Sequence, residues 1–325
     1  MRLPEELLAA IQREVEKVDA KSVARAAAEL TRRYRAGEFA SPPIQSPAHR
    51  AAYLTTRLPA TYAANWRVFS EILERAPQAE IASILDLAAG PGTALSAAAG
   101  RFPSLRQATL VESDPAWLDL GHLLTANLPR ASLSLRQVEW RQHDLRQEFQ
   151  CPPHDLVVIS YALGELPSSV VEALVRRAWR LAQRFLVVIE PGTVRGFGVV
   201  HFARSLLIKE AAQILAPCPH CGACPMAGTR DWCHFVQRLE RTSAHRQAKA
   251  AALAYEDEKF SYLVASREAV SPVIARIVRH PRKHSGHVQL TLCTRDRGIE
   301  SRTVARSDGP AYKLARQAEW GEAWP

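Results

Sequence analysis

No run of apolar residues in this chain approaches the ~18 needed to carry a helix across a bilayer, so we expect neither a helical membrane span nor a membrane partner. Acid is short of base: 33 Asp and Glu face 42 Lys and Arg, for a formal charge of +9 at pH 7. Such an imbalance bears on association and not on fold, and it makes a polyanion, foremost a nucleic acid, the expected partner. The alternative is that many of these arginines are solvated helix faces. Cysteine is scarce as well, six in 325 residues, and only Cys151 and Cys293 lie outside a group between positions 218 and 233. The opening MRLPEELLAAIQREVEKVD carries too much acid for a signal or transit peptide, so we expect a cytoplasmic protein. In that reducing compartment disulfides are not expected, and a tight cysteine group binds metal or does redox chemistry. No internal repeat is visible.

Hydrophobic residues at 47% and charged residues at 23% are ordinary globular usage. Leu7, Leu8, Ile11, Val15 and Val18 recur at helical spacing. Two more helices are expected at 22–35 and 60–75, separated by SPPIQSP. From Ile81 the pattern changes to short apolar runs, IASILDLA, QATLVESD, DLVVISYA and RFLVVIEPG, spaced by helical stretches. Runs of this kind are buried parallel strands, so the fold class is α/β, a doubly wound Rossmann-like sheet. We divide the chain into an N-terminal helical region (1–75), the sheet core (76–205), a cysteine-rich helical insert (206–269), closing strands of the core (270–300) and a polar basic tail (301–325). Cys151 is expected to be a lone thiol. Arg276, Arg279, Arg282, Lys283 and the TRRYR knot at 31–35 are candidate phosphate contacts.

In ILDLAAGPGTAL, Asp86 closes a strand and Gly90-Pro91-Gly92 turns into a helix whose N-terminus favours electron-rich groups. The segment resembles the first motif of class I S-adenosylmethionine-dependent methyltransferases, with Ala88 standing where the first glycine would be. That resemblance implies that Gly90 and Gly92 line the methionine part of the cofactor and that Asp86 lies near its amino group. Glu112, ending the next strand, would hold the ribose hydroxyls, with Asp114 as the alternative. Asp144 falls where the family contacts the adenine amino group. Each carboxylate is otherwise a helix cap. After the fourth strand, ISYALGELP lacks an Asn-Pro-Pro-aromatic motif and a nucleophilic cysteine, so base-amine and cytosine-carbon methylation of those types are poorly supported. Glu165 is a candidate general base, or a cap for the helix after Pro167.

Cys218, Cys221, Cys224 and Cys233 form C-x2-C-x2-C-x8-C. This is closer to iron-sulfur spacing than to the paired C-x2-C of zinc ribbons. Zinc, with His220 or His234 as a further ligand, is the alternative. Together PCPH, CPM, WCHF, KFSYLVASR, EPGT and GHVQLTLC resemble a methyltransferase-like family of small-ribosomal-subunit assembly proteins, over roughly residues 50 to 300. The resemblance implies S-adenosylmethionine, a [4Fe-4S] cluster and ribosomal RNA of the small subunit as cofactors and partner, with no DNA expected and methyl transfer left open. It carries the cluster ligands over as Cys218, Cys224, Cys233 and Cys293, whereas local spacing alone selects Cys221 in place of Cys293. The competing function is an active RNA or small-molecule methyltransferase with a structural zinc site.

Overall fold

The computed structural model describes residues 1–36, 44–128, 135–296 and 298–325. Part of SPPIQSP, 41–43, and the Arg35 side chain of TRRYR therefore lie outside the described residues. Four helices lead: α1 (Glu5–Val15), α2 (Ala20–Ala36), α3 (Pro47–Thr56) and α4 (Leu58–Arg75). Next come β1 (Ser83–Leu87), α5 (Thr93–Arg101), β2 (Gln107–Glu112), α6 (Pro115–Thr125), β3 (Gln137–Gln142), β4 (His154–Ser160), α7 (Ser168–Leu181), β5 (Ala182–Pro191) and α8 (Val194–Lys209). The remainder is β6 (Gln213–Ala216), β7 (Phe235–Glu240), α9 (Ser243–Ala248), β8 (Tyr255–Ser266), β9 (Ala275–Ile277), β10 (Arg282–Lys283), β11 (His287–Thr294), β12 (Ile299–Ala305), α10 (Pro310–Gln317) and β13 (Ala323–Trp324).

The main sheet runs β3-β2-β1-β4-β5-β8-β6, with β7 added on β8. Its first five strands are parallel and β8 is antiparallel to β5. Side chains alternate across it, as a strand's period of two requires. Ile84, Leu110, Val158, Val187 and Val264 pack on one face, and Leu85, Val111, Val157, Val188 and Leu263 on the other. Helices cover both faces, which is why these strands read as unbroken apolar runs. The α/β, doubly wound Rossmann-like sheet expected from the sequence is thus observed. Among the described residues no helix is long and apolar enough to cross a membrane.

Several expectations are corrected. The charged stretch 235–253 is not a helix but β7, followed by the short α9; Arg238 of β7 reaches across to Asp257 of β8 at 2.7 Å. Residues 206–269 supply β6, β7 and β8 to the main sheet. The strands expected to close the core, β9 and β11, pair with each other but in a second, five-stranded sheet. The expected polar tail contributes α10 and β13 to that sheet's own core of Val288, Leu290, Leu292, Val304, Ala315 and Trp324. Also unanticipated are α3 and the half-exposed β3, whose QVEWRQ has no apolar run.

The two sheets meet at Arg276. Its Nε donates to Pro217 O at 2.9 Å, and its Nη1 to Glu71 Oε1 of α4 at 2.9 Å and Gly321 O at 2.7 Å. Both partners of the ion pair are buried. Arg276 is therefore a structural cation and cannot be the phosphate contact expected from the sequence. Removing Arg276 leaves buried Glu71 with a single cation, Arg67 at 2.8 Å, and takes the donor away from the Pro217 and Gly321 carbonyls. Arg276→Ala should accordingly cost about 3–5 kcal/mol in urea unfolding; a loss below about 1 kcal/mol would mean the junction is held by other contacts.

Candidate functional site

The C-terminal ends of β1, β2, β4 and β5 open onto one cleft of about 1780 Å³, where open α/β sheets bind their ligands. Asp86 is buried near the end of β1, and its Oδ2 has no hydrogen-bond partner among the described residues. Beyond it Ala88 adopts a left-handed φ of 58°, and Gly90 and Gly92 have φ of 53° and 77°. The turn thus keeps its shape at Ala88 despite the missing glycine, at a cost of about 1–2 kcal/mol. Gly92 caps α5.

Glu112, at the end of β2, is gripped by main-chain donors. Its Oε2 accepts from Gly90 N at 2.8 Å, and its Oε1 from Ser113 N at 2.8 Å and Asp114 N at 3.0 Å. Asp114, the alternative ribose contact, instead caps α6 by accepting from Ala116 N at 2.9 Å. Asp144 lines the cleft mouth and is paired in a fork with Arg146. Glu165 does not cap α7, which starts after Pro167 without a side-chain cap. It ends a 3-10 turn (Leu163–Glu165) and lines the cleft, and its carboxylate has no hydrogen-bond partner among the described residues.

EPGT forms the opposite wall. Glu190 accepts from Leu163 N at 2.8 Å and Gly164 N at 3.3 Å, which fixes the loop carrying Glu165. A Cβ on Gly192 would lie 2.7 Å from the Lys259 main chain, so only glycine lets β5 leave the sheet there. Thr193 caps α8 by accepting from Gly196 N. The sequence reading missed Glu190 as a site residue, together with Tyr161, whose hydroxyl donates to Glu258 at 2.9 Å. EPGT was the only signal for the first; nothing in sequence marked the second. Thr31, Arg32 and Tyr34 of TRRYR also line this cleft.

The cleft gathers carboxyls in a chain of positive net charge. Burial, then the charge of Glu112, pushes Asp86 up to about 7. Enclosure by the cleft walls, then the charge of Glu112, draws Glu165 up to about 7, opposed by Arg195, although the side chain itself is exposed to solvent. Burial also lifts Glu190 to about 7, against the hydrogen bonds it accepts.

A second cavity, of about 40 Å³, is lined by Cys218 and Cys224 from the β6–β7 loop, Cys233 before β7 and Cys293 of β11. Cys221 is exposed and absent from its wall. Arg204 Nη2 donates to His220 O and Gly222 O, both at 2.8 Å, and so pins the loop. Burial first, then the neighbouring thiols, holds Cys293 up to about 12 and Cys233 well above an ordinary thiol. Burial likewise raises Cys218. Among the described residues no three His, Cys, Asp or Glu are grouped so as to hold a metal ion. Cys151 stands apart as a free thiol. Arg279 is ion-paired with Asp231, whereas Arg282 and Lys283 are exposed on β10.

A family model described as mitochondrial small ribosomal subunit Rsm22 matches residues 47–325. The ribosome assembly protein METTL17, mitochondrial, of Homo sapiens is 30% identical, over 84% of this chain and 62% of that protein. The Rsm22-cox11 tandem protein 2, mitochondrial, of Schizosaccharomyces pombe is 27% identical, over 84% of this chain and 43% of that protein. The chain thus spans about half the length of the curated relatives it matches. Among solved structures, an O-methyltransferase family protein from Burkholderia thailandensis has 13% identity and a TM-score of 0.46, covering 77% of this chain and 72% of that one. Magnesium protoporphyrin IX methyltransferase from Synechocystis, with bound SAH, has 13% identity and a TM-score of 0.42, covering 77% and 100%. The expectation of a cytoplasmic protein is corrected by these comparisons, since the family and both relatives are described as mitochondrial.

The carboxyls of the cleft make stability depend on pH with a definite sign. Below about pH 4 Asp86 is protonated folded and unfolded alike. From there to about 7 the unfolded chain releases the proton that the folded chain retains, so stability falls as pH rises and stays low beyond. Asp86→Asn removes this share: in thermal unfolding above pH 7 it should exceed wild type by about 1–3 kcal/mol and converge with it near pH 4. Equal stability across the range would show that Asp86 is not desolvated.

Proposed function

The chain belongs to the Rsm22 family of the mitochondrial small ribosomal subunit, and from that premise we propose that it binds S-adenosylmethionine in the strand-end cleft, holds a [4Fe-4S] cluster between its two sheets and serves small-subunit assembly through ribosomal RNA. The observation that carries the cofactor reading is Asp86 Oδ2, a buried acceptor on the cleft without a partner among the described residues. Left unpaired, such an atom costs about 1–3 kcal/mol, and the amino group of the cofactor would satisfy it.

Glu112 is oriented by three main-chain donors and keeps acceptor capacity for the ribose hydroxyls. Gly90 has open space where a side chain would project, so a ligand can approach the main chain there. Asp144 stands at the mouth for the adenine amino group once it exchanges its Arg146 partner. S-adenosylmethionine supplies an electrophilic methyl group when bound. Glu165, whose carboxylate has no hydrogen-bond partner among the described residues and whose titration is drawn up to about 7, is the residue suited to take a proton from an acceptor in the cleft.

Support for the cluster comes from the donor set: four soft ligands from two sheets line one cavity, with Arg204 and Arg276 on its wall to offset anionic charge. The cluster supplies a cross-link between the β6–β7 loop and β11. Ribosome assembly is named for a relative that this chain covers in part, and the positive net charge is consistent with an RNA partner.

Calorimetric titration tests the cofactor reading. Wild type should bind S-adenosylmethionine, and Asp86→Asn and Glu112→Gln should each weaken binding by roughly tenfold, about 1.4 kcal/mol, while remaining folded by circular dichroism. No binding by folded wild type at millimolar cofactor, or full affinity in both variants, would contradict it.

A further inference from the structure

The most cationic part of the second sheet is the tip of its β10–β11 hairpin. Arg282, Lys283 and His284 lead into the turn and His287 leaves it. The turn is built onto its surroundings: Arg306 N donates to Gly286 O at 2.9 Å, Tyr312 Oη to Ser285 O at 3.2 Å, and Arg316 Nη1 to His284 O at 3.1 Å. These bonds bring the end of β12 and one face of α10 to the tip, and with them two further cations. Arg282, Lys283 and Arg306 are exposed and form no ion pair among the described residues. The acid nearest in chain, Asp308, accepts from Ala305 N at 2.8 Å.

Between these cations the rings of His284 and His287 stack, with centroids 4.5 Å apart and planes 19° from parallel. His284 is exposed and His287 half-buried beneath it, so the pair presents a supported flat ring to solvent. A flat ring among cations is the chemistry of single-strand sites, where cations follow the phosphates and bases stack on ring faces. A duplex keeps its bases stacked on one another and cannot use the ring. An acidic peptide would engage the cations but has no base to stack.

We propose that this hairpin tip docks an unpaired RNA strand, with Arg282, Lys283, Arg306 and Arg316 on phosphates and His284 under a base. The proposal rests on the RNA-partner reading above and adds the surface and the form of the RNA. It also replaces Arg276 and Arg279, which are committed to Glu71 and Asp231.

Fluorescence anisotropy of the full chain with a labelled single-stranded RNA of about 12 nucleotides, at about 50 mM salt and upward, tests it. Wild type should bind this strand more tightly than the same sequence as a duplex. The double variant Arg282→Gln, Lys283→Gln should weaken binding and reduce the salt slope by about 0.7 per lost phosphate contact. Lys21→Gln, on the exposed start of α2, should leave it unchanged. His284→Ala should weaken single-strand binding roughly tenfold with the salt slope unchanged and duplex binding unaffected. Wild type failing to bind the strand would overturn the RNA reading itself. Strand binding that is intact in the double variant, equal duplex affinity, or competition by polyglutamate as strong as by RNA would overturn the hairpin site alone.

Discussion

A single buried guanidinium joins the parts of this molecule. Arg276 stands on the second sheet, yet its hydrogen bonds reach α4 at Glu71, the start of the cysteine loop at Pro217 and the chain before β13 at Gly321. Burying that charge is costly unless it is paired; Nη2 has no partner among the described residues, but Nε and Nη1 tie the register of β9 against β11 and the path of the cysteine loop to one atom group. Cys293 lies opposite Arg276 in the β9–β11 pairing. The constraint that seats the second sheet therefore also carries Cys293 to Cys218, Cys224 and Cys233.

The cleft obeys a different logic. Parallel strands end together, and their terminal residues share one cleft. Here that space holds Asp86, Glu112, Glu165 and Glu190, of which Glu112 and Glu190 are oriented by main-chain donors while Asp86 Oδ2 has no partner among the described residues. Crowding carboxyls in this way sacrifices stability, and such sacrifices are made where a ligand restores the balance.

Strands buried on both faces announce themselves as apolar runs, and β1, β2, β4 and β5 were legible for that reason. The edge strand β3 was not, because QVEWRQ is half-exposed and its alternation rests on only two apolar residues, Val138 and Trp140. Residues 235–253 look helical from their charge, but β7 is held by pairing along β8, a tertiary contact no local pattern encodes. Local spacing selected Cys221 over Cys293, and only resemblance pointed to the latter; the structure exposes Cys221 and lines the cavity with Cys293, seventy-odd residues downstream and on another sheet. Arg276 was misread for a similar reason. In sequence it is one cation among ten between 276 and 316, and its burial depends on Glu71, two hundred positions away.

The central claim is that thiols from both sheets hold one iron-sulfur group. Anaerobic purification with iron, sulfide and zinc analysis of wild type, Cys221→Ser and Cys293→Ser tests it most directly. We expect about four irons per chain in wild type and in Cys221→Ser, and their loss in Cys293→Ser. A colourless wild type carrying about one zinc, or iron retained by Cys293→Ser and lost by Cys221→Ser, would contradict the account.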